Sequence, residues 1–283
     1  MIVDCHCHAG LGDKMTSPWN TDAPMEPYLR RARAAGIDKT IVMAPFHSDN
    51  GVANAQVARI IARYPGRLIG FAFVHAVRDA GRIFRMVEHA VRKWAFRGIK
   101  IHGHEGMPTR EVCETAKTLQ LPLLVDVASR SEVVDMLAPQ YPEVNFIIAH
   151  LGSNTDDFRA HQQMVYQLAR YPNVFADTSG VRQYDYIVEA VKRAGPRKLL
   201  FGSDGPWLHP GVEIQKIRLL RLSPEKEALI LGGNVLRLLG TARGGPSLPG
   251  ISPRHLRIAA PDIAGRPRIP HLSNDDPFAE TVM

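Results

Sequence analysis

Short apolar runs alternate with longer mixed segments along most of this chain. Residues 39–44, 68–74, 98–102, 121–126, 144–150, 174–177 and 198–204 are dominated by Val, Ile, Leu, Phe and Ala. Runs this short and this apolar read as strands buried on both faces. Residues 1–8 make a further strand, apolar at first and ending in a His-x-His pair. The segments between them, at 24–36, 52–64, 80–94, 109–119, 131–138, 156–170 and 184–194, read as helices. Gly36 closes the first helix, and Asp79 is the expected N-cap of the third. Helical segments from about 212 to 239 close the series.

Strands that alternate with helices pair in parallel and are covered by those helices. Eight strand–helix units within about 240 residues are what a closed α/β ring, a (β/α)8 TIM barrel, requires. An open doubly wound sheet is the competing arrangement, but it usually has fewer strands. No Gly-x-Gly-x-x-Gly follows the first strand, and no Gly-x-x-x-x-Gly-Lys-Ser/Thr occurs, so a nucleotide-binding fold has little support. Residues 1–240 are therefore expected to form the barrel. From 241 to 283, Gly244, Gly245, Pro246, Pro249, Gly250, Pro253, Pro261, Pro270 and Pro277 break any periodicity. That tail reads as an extended or disordered extension, wrapped over its own barrel or over a neighbouring subunit in a homo-oligomer.

Charge and cysteine content narrow the setting. The formal net charge is +7, but Lys and Arg are scattered among Asp and Glu, which argues against a nucleic-acid partner. No apolar run is long enough for a membrane span, and the first residues lack the pattern of a secretory signal. Three cysteines, Cys5, Cys7 and Cys113, do not make a disulfide framework. Cys5 and Cys7 are too close in sequence for the usual zinc-binding pair. A cytoplasmic protein with a small-molecule substrate is the expectation.

The chemistry lies where the strands end. Successive strand residues point to opposite faces, so His6 and His8 share a face about 6–7 Å apart, with Asp4 beside them and Cys5 and Cys7 behind. The fourth strand ends in Lys100 and His102, the fifth in Asp126, the sixth in His150 and the eighth in Asp204. In a barrel the active site forms at this end of the strands. So many ionisable groups on apolar strands are costly to bury unless they pair or bind an ion. One divalent metal would satisfy several of them. His89, His161, His255 and His271 fall on helices or in the tail and read as surface residues. His47, His75, His104 and His209 follow strand ends, where they either line a pocket or are merely exposed. The polar loop from 9 to 24 reads as a lid or binding wall.

These motifs resemble the amidohydrolase superfamily, specifically its branch related to aminocarboxymuconate-semialdehyde decarboxylase. The resembling stretches are Val3-Asp4-Cys5-His6-Cys7-His8, Gly98-Ile99-Lys100-Ile101-His102, Ile148-Ala149-His150-Leu151-Gly152 and Leu200-Phe201-Gly202-Ser203-Asp204-Gly205-Pro206. The closing segment Ile230-Leu231-Gly232-Gly233-Asn234-Val235-Leu236-Arg237 is also similar. The resemblance implies a metal-dependent hydrolase or a nonoxidative decarboxylase. It makes His6 and His8 metal ligands, His150 a ligand or substrate contact, and Asp204 both ligand and general base. Asp126 stands where the family usually has histidine. It either ligates through oxygen, favouring a harder metal such as manganese over zinc, or yields that role to His102. Iron is a third candidate. Lys100 sits where some members carry a carboxylated lysine. Arg130, just past the fifth strand, and His102 are candidate substrate contacts. The resemblance implies hydrolysis of an amide, ester or lactone, with decarboxylation of a small carboxylic acid as the alternative. A catalytically silent barrel used for binding or assembly is the reading from another class.

Overall fold

A computed structural model describes residues 1–14 and 22–240 of the 283. The tail at 241–283, with its expected subunit contact, His255 and His271, and the part of the first loop that holds Pro18 and Trp19 lie outside the described residues.

Eight strands, β1 (Val3–His8), β2 (Lys39–Met43), β3 (Leu68–Phe73), β4 (Gly98–His102), β5 (Leu123–Asp126), β6 (Phe146–Ile148), β7 (Val174–Asp177) and β8 (Leu199–Leu200), form one sheet in sequence order. Every neighbouring pair is parallel. Backbone bonds from Cys5 N to Phe201 O (2.9 Å), Asp204 N to His6 O (2.7 Å) and His8 N to Gly205 O (2.6 Å) join the segment from β8 onward to β1. The ring is thus a (β/α)8 TIM barrel. Helices α1 (Met25–Ala34), α2 (Asn50–Arg63), α3 (Ile83–Trp94), α4 (Arg110–Leu119), α5 (Glu132–Gln140), α6 (Phe158–Arg170) and α7 (Tyr184–Ala194) alternate with the strands. α8 (Pro210–Arg218), α9 (Pro224–Ala228) and α10 (Asn234–Leu239) follow β8.

Alternation along the strands feeds two cores. Ile41, Met43, Ile69, Phe71, Leu124, Ile147, Phe175 and Leu200 fill the barrel, while Val42, Ala72, Ile99, Ile101, Leu123, Val125 and Ile148 pack under the helices. Burial on both faces is why these strands read as continuous apolar runs. Val235, Leu238 and Leu239 of α10 join the interior cluster beside Val3, so the last helix closes the end of the barrel where β1 starts. Gly98 has no side chain because Phe71 fills the space: an added Cβ would lie 2.4 Å from its ring.

β1 departs from simple alternation. Its register on β2 shifts between Asp4 and Cys7. Cys5 lies in the interior core and Cys7 under the helices, so the two cysteines do not share a face. Asp4 does not share a face with His6 and His8 either: it points outward to α1. One irregular residue flips the phase of a period-2 strand, and no residue type announces it. Asp4 is fully buried and accepts four hydrogen bonds, from His6 N (3.1 Å), Ser203 N (2.9 Å), Tyr28 Oη (2.5 Å) and the Ser203 hydroxyl. It therefore ties β1 to the segment after β8 and to α1.

The third helix begins later than expected. Asp79 is not its N-cap; Arg82 holds that position without a side-chain cap. Asp79 instead accepts from His75 N (2.8 Å), Asn50 Nδ2 (2.9 Å) and Arg82 Nη2 (2.7 Å), which ties this turn to α2. A carboxylate that finds three donors around it has no need of the helix amides. Asp49 and Asp157 do cap α2 and α6.

Burial lifts the Asp4 carboxyl from 3.8 to about 7, even against its four donors. A group that ionises less readily in the folded state stabilises the fold at low pH and loses that contribution as it ionises. Measured by urea denaturation, the stability of the wild type relative to Asp4→Asn should fall as pH rises from 3.8 to about 7 and level off on either side. A pH-independent difference would show that Asp4 ionises alike in both states.

Candidate active site

The strand ends bring His6, His8, Lys100, His102, Asp126, His150, Asp177 and Asp204 to one mouth of the barrel. All but Asp204 are buried, and its side chain is 22 % exposed. The two β1 imidazoles are oriented by their inner nitrogens. His8 Nδ1 donates to Ala44 O (2.9 Å), and His6 Nδ1 donates to Asp177 Oδ2 (2.9 Å). Their Nε2 atoms are left to face Asp204 Oδ1, each at 3.6 Å. His6, His8 and Asp204 together place one ligand atom each within 4.8 Å of one another. His6, His150 and Asp177 do the same, but Asp177 is already spent orienting His6. The first set is therefore the better cation cradle, and the second is its support.

Burial, with Lys100 nearby, lowers the pKa of His6, and burial with His6 holds that of His8 well below its usual range. Both rings are neutral, the form that binds metal. Lys100, fully buried, puts Nζ 3.3 Å from His6 Nε2. Burial lowers its pKa, opposed by the carboxylates of Asp126, Asp177 and Asp204.

His150 is not on β6 but just beyond it, in a turn with three consecutive left-handed residues: His150 (φ 56°), Leu151 (φ 48°) and Gly152 (φ 94°). Its backbone N donates to Asp177 Oδ1 (3.0 Å) and its Nδ1 donates to Ser179 O (2.8 Å). Burial opposes protonation of His150, but Asp204, Asp126 and Asp177 outweigh it and raise the pKa. Asp177 also accepts from Ser179 N (3.0 Å) and Ser179 Oγ (2.6 Å). Burial works against its ionisation, yet His6, His150 and Ser179 hold its pKa low.

Asp126 ends β5 with Oδ1 on Ala128 N (2.7 Å). Its Oδ2 lies 3.0 Å from His102 Nε2 and 3.5 Å from His150 Nε2, but no hydrogen bond to it is aligned. A buried, ionised oxygen faced by ring nitrogens at these distances but by no aligned donor is incompletely satisfied, and a cation would complete it. Burial opposes that ionisation; His102, His150 and Lys100 overcome it. His102 accepts His104 N on Nδ1 (3.2 Å) and packs its ring on Phe46 (4.7 Å). Trp207, exposed at the rim, lies 4.6 Å from the His8 ring. Arg130 is exposed and donates to Gly103 O, beside His102.

Each residue singled out at a strand end thus faces the mouth or its rim. The other histidines divide. His75 and His209 accept backbone amides and shape turns. His47 lies 3.6 Å from Asp13. His89 is exposed as expected, but His161 is not a surface residue: it is fully buried under the β6 turn. Asp177 and Ser179 were missed as site residues. Asp177 ends an apolar run, the same signal that marked Asp126, so it was available in the sequence. Ser179 carries no such mark.

No curated protein matches the sequence. Solved structures match the fold over most of the chain. An amidohydrolase from Burkholderia multivorans with bound zinc is 16% identical, with a TM-score of 0.70 over 85% of this chain and 99% of that one. A dihydroxybenzoic acid decarboxylase from Polaromonas with bound manganese and the inhibitor 2-nitroresorcinol is 17% identical, with a TM-score of 0.62 over 84% and 96%. A protein from Acinetobacter baumannii assigned as a 2-pyrone-4,6-dicarboxylic acid hydrolase, with citric acid bound, is 17% identical, with a TM-score of 0.66 over 84% and 99%. The amidohydrolase family matches residues 3–241, a stretch that holds every strand and every donor described above, and the chain belongs to that family.

Proposed function

We propose that this protein is a metal-dependent hydrolase of a small organic substrate with an amide, ester or lactone bond. The observation that carries the reading is the approach of His6 Nε2 and His8 Nε2 to Asp204 Oδ1, each at 3.6 Å. Zinc or manganese would be held by His6, His8, Asp204 and Asp126, all in the protonation state or chemistry such ions take. The bound ion would supply Lewis acidity, polarising a substrate oxygen and lowering the pKa of water towards about 7. Asp204, the least buried of the carboxylates, takes the proton of the attacking water on Oδ and returns it to the leaving group. His150 faces the same space with Nε2 and donates to the substrate oxygen as charge builds on it. Asp177 keeps the His6 proton on Nδ1, so that Nε2 presents its lone pair to the mouth.

Decarboxylation is the second reading. A decarboxylase among the structural neighbours supports it, as does Arg130 at the rim, whose guanidinium suits a substrate carboxylate. No helix among the described residues is long and apolar enough to cross a membrane.

Replacing Asp204 with Asn should lower kcat by about 10²–10⁴-fold, as loss of a general base does. Uptake of labelled oxygen from water into product marks hydrolysis, and release of carbon dioxide marks the second reading. Neither event from lactones, amides, esters and aromatic carboxylates, with metal loaded, would refute both. Asp177→Asn should weaken Zn²⁺ or Mn²⁺ binding by about 10–100-fold in calorimetry, without touching the ion itself. Equal affinity in that variant would remove Asp177 from its supporting role.

A further inference from the structure

His161, on the inner face of α6, has no part in the site described above, yet it is fully buried. Its Nδ1 lies 2.9 Å from Leu151 O, and its ring packs against Tyr186 of α7 at 5.1 Å. Its Nε2 is buried without a hydrogen-bond partner. Burial lowers its pKa, so the ring is neutral and carries a single proton. Among the described residues the acceptor for Nδ1 is the Leu151 carbonyl, so that proton sits on Nδ1 and the desolvated Nε2 lone pair is left bare. A histidine that spends its one donor on a backbone oxygen and leaves the other nitrogen dry is costly to keep for packing alone.

What it holds explains the cost. Leu151 is the middle residue of the left-handed turn that carries His150. Residues with side chains rarely adopt this conformation, and two in a row persist only where their surroundings fix them from several sides. On the barrel side, the His150 amide is fixed by Asp177 and the His150 ring by Ser179. At its far end, Gly152 O accepts Ser129 N (3.1 Å). Between them, the Leu151 carbonyl turns away from the barrel towards α6, and His161 receives it there. A Cβ on Gly152 would lie 3.1 Å from Ser131 Oγ and 3.3 Å from Ala160 O, closer than most such contacts, so the turn lies close against α6.

We propose that His161 is a positioning residue for His150, acting as a latch on the outer side of the turn that aims the His150 ring into the mouth. The proposal rests on the reading that His150 faces the substrate, but its test does not need turnover. Long-range proton–nitrogen spectra of the imidazoles report the tautomer of each ring, and a His150→Asn variant assigns the His150 signals. In the wild type His150 should show a single, protected Nδ1–H signal, held towards Ser179 O. His161→Leu should lose that single pattern through exchange or loss of the Nδ1–H signal. His161→Gln fills the space but carries its amide nitrogen at the wrong position, and should behave like His161→Leu. His161→Asn places an amide nitrogen where Nδ1 was and should restore the wild-type pattern. An unchanged His150 pattern in both His161→Leu and His161→Gln would overturn the proposal, as would failure of His161→Asn to restore it. If the function proposed above is wrong, the wild type will neither take up metal nor turn over substrate, while these spectra still decide the role of His161.

Discussion

Charge buried at the end of an apolar barrel is the constraint on which the rest depends. Asp126, Asp177 and Lys100 are almost completely withdrawn from solvent, and His6, His8, His102 and His150 nearly so. Taking an isolated ion out of water costs several kcal/mol even after relaxation. No apolar packing nearby could offset that for so many groups at once. They are tolerated because each is set against another: Asp177 on His6 and the His150 amide, His8 on a backbone carbonyl, Lys100 among three carboxylates. The compensation is least complete at Asp126 Oδ2, which has no aligned hydrogen bond, and where the Nε2 atoms of His6 and His8 face Asp204. That remaining imbalance is the chemical capacity of the site.

The geometry of the mouth is inherited from the seam where the barrel closes. β8 is only two residues long, so regular pairing does little to hold the last strand to the first. Asp4 supplies what the short strand cannot, gathering Ser203, Tyr28 and the His6 amide around one carboxylate. Ser203 precedes Asp204, and His6 is two residues after Asp4. The bond network that closes the ring therefore also sets the spacing between Asp204 and the β1 imidazoles. Asp204 itself has a left-handed backbone (φ 54°), as His150 does. Strain of this kind sits at the two places where a side chain must be turned from the strand direction into the mouth.

The family relationship and the site support one another without being the same argument. Structural neighbours at 16–17% identity share the barrel, and their bound zinc and manganese are properties of those proteins. What this chain contributes is its own set of donors, including an aspartate at the end of β5. There the carboxylate keeps one oxygen on Ala128 N and presents the other to His102 and His150.

Much of this was legible in the sequence. Eight short apolar runs separated by helical segments fixed the barrel, because strands buried on both faces leave a continuous apolar trace. The polar residues that end those runs, from His6 and His8 to Asp204, marked the mouth, because charge is placed on an apolar strand only where something compensates it. Asp177 ended its run in the same way and was overlooked, although its signal was no weaker than that of Asp126. Other features had no local trace. The register shift in β1 turned Asp4 away from His6, and it depends on how β2 pairs rather than on any residue type. Asp79 left its helix for donors in its own turn and on α2, and His161 left the surface for a carbonyl ten residues away in the chain. Composition and periodicity report which residues are buried. Which partner each buried polar group finds is decided only when distant segments pack, because a hydrogen bond is set by position and direction, and a linear pattern carries neither.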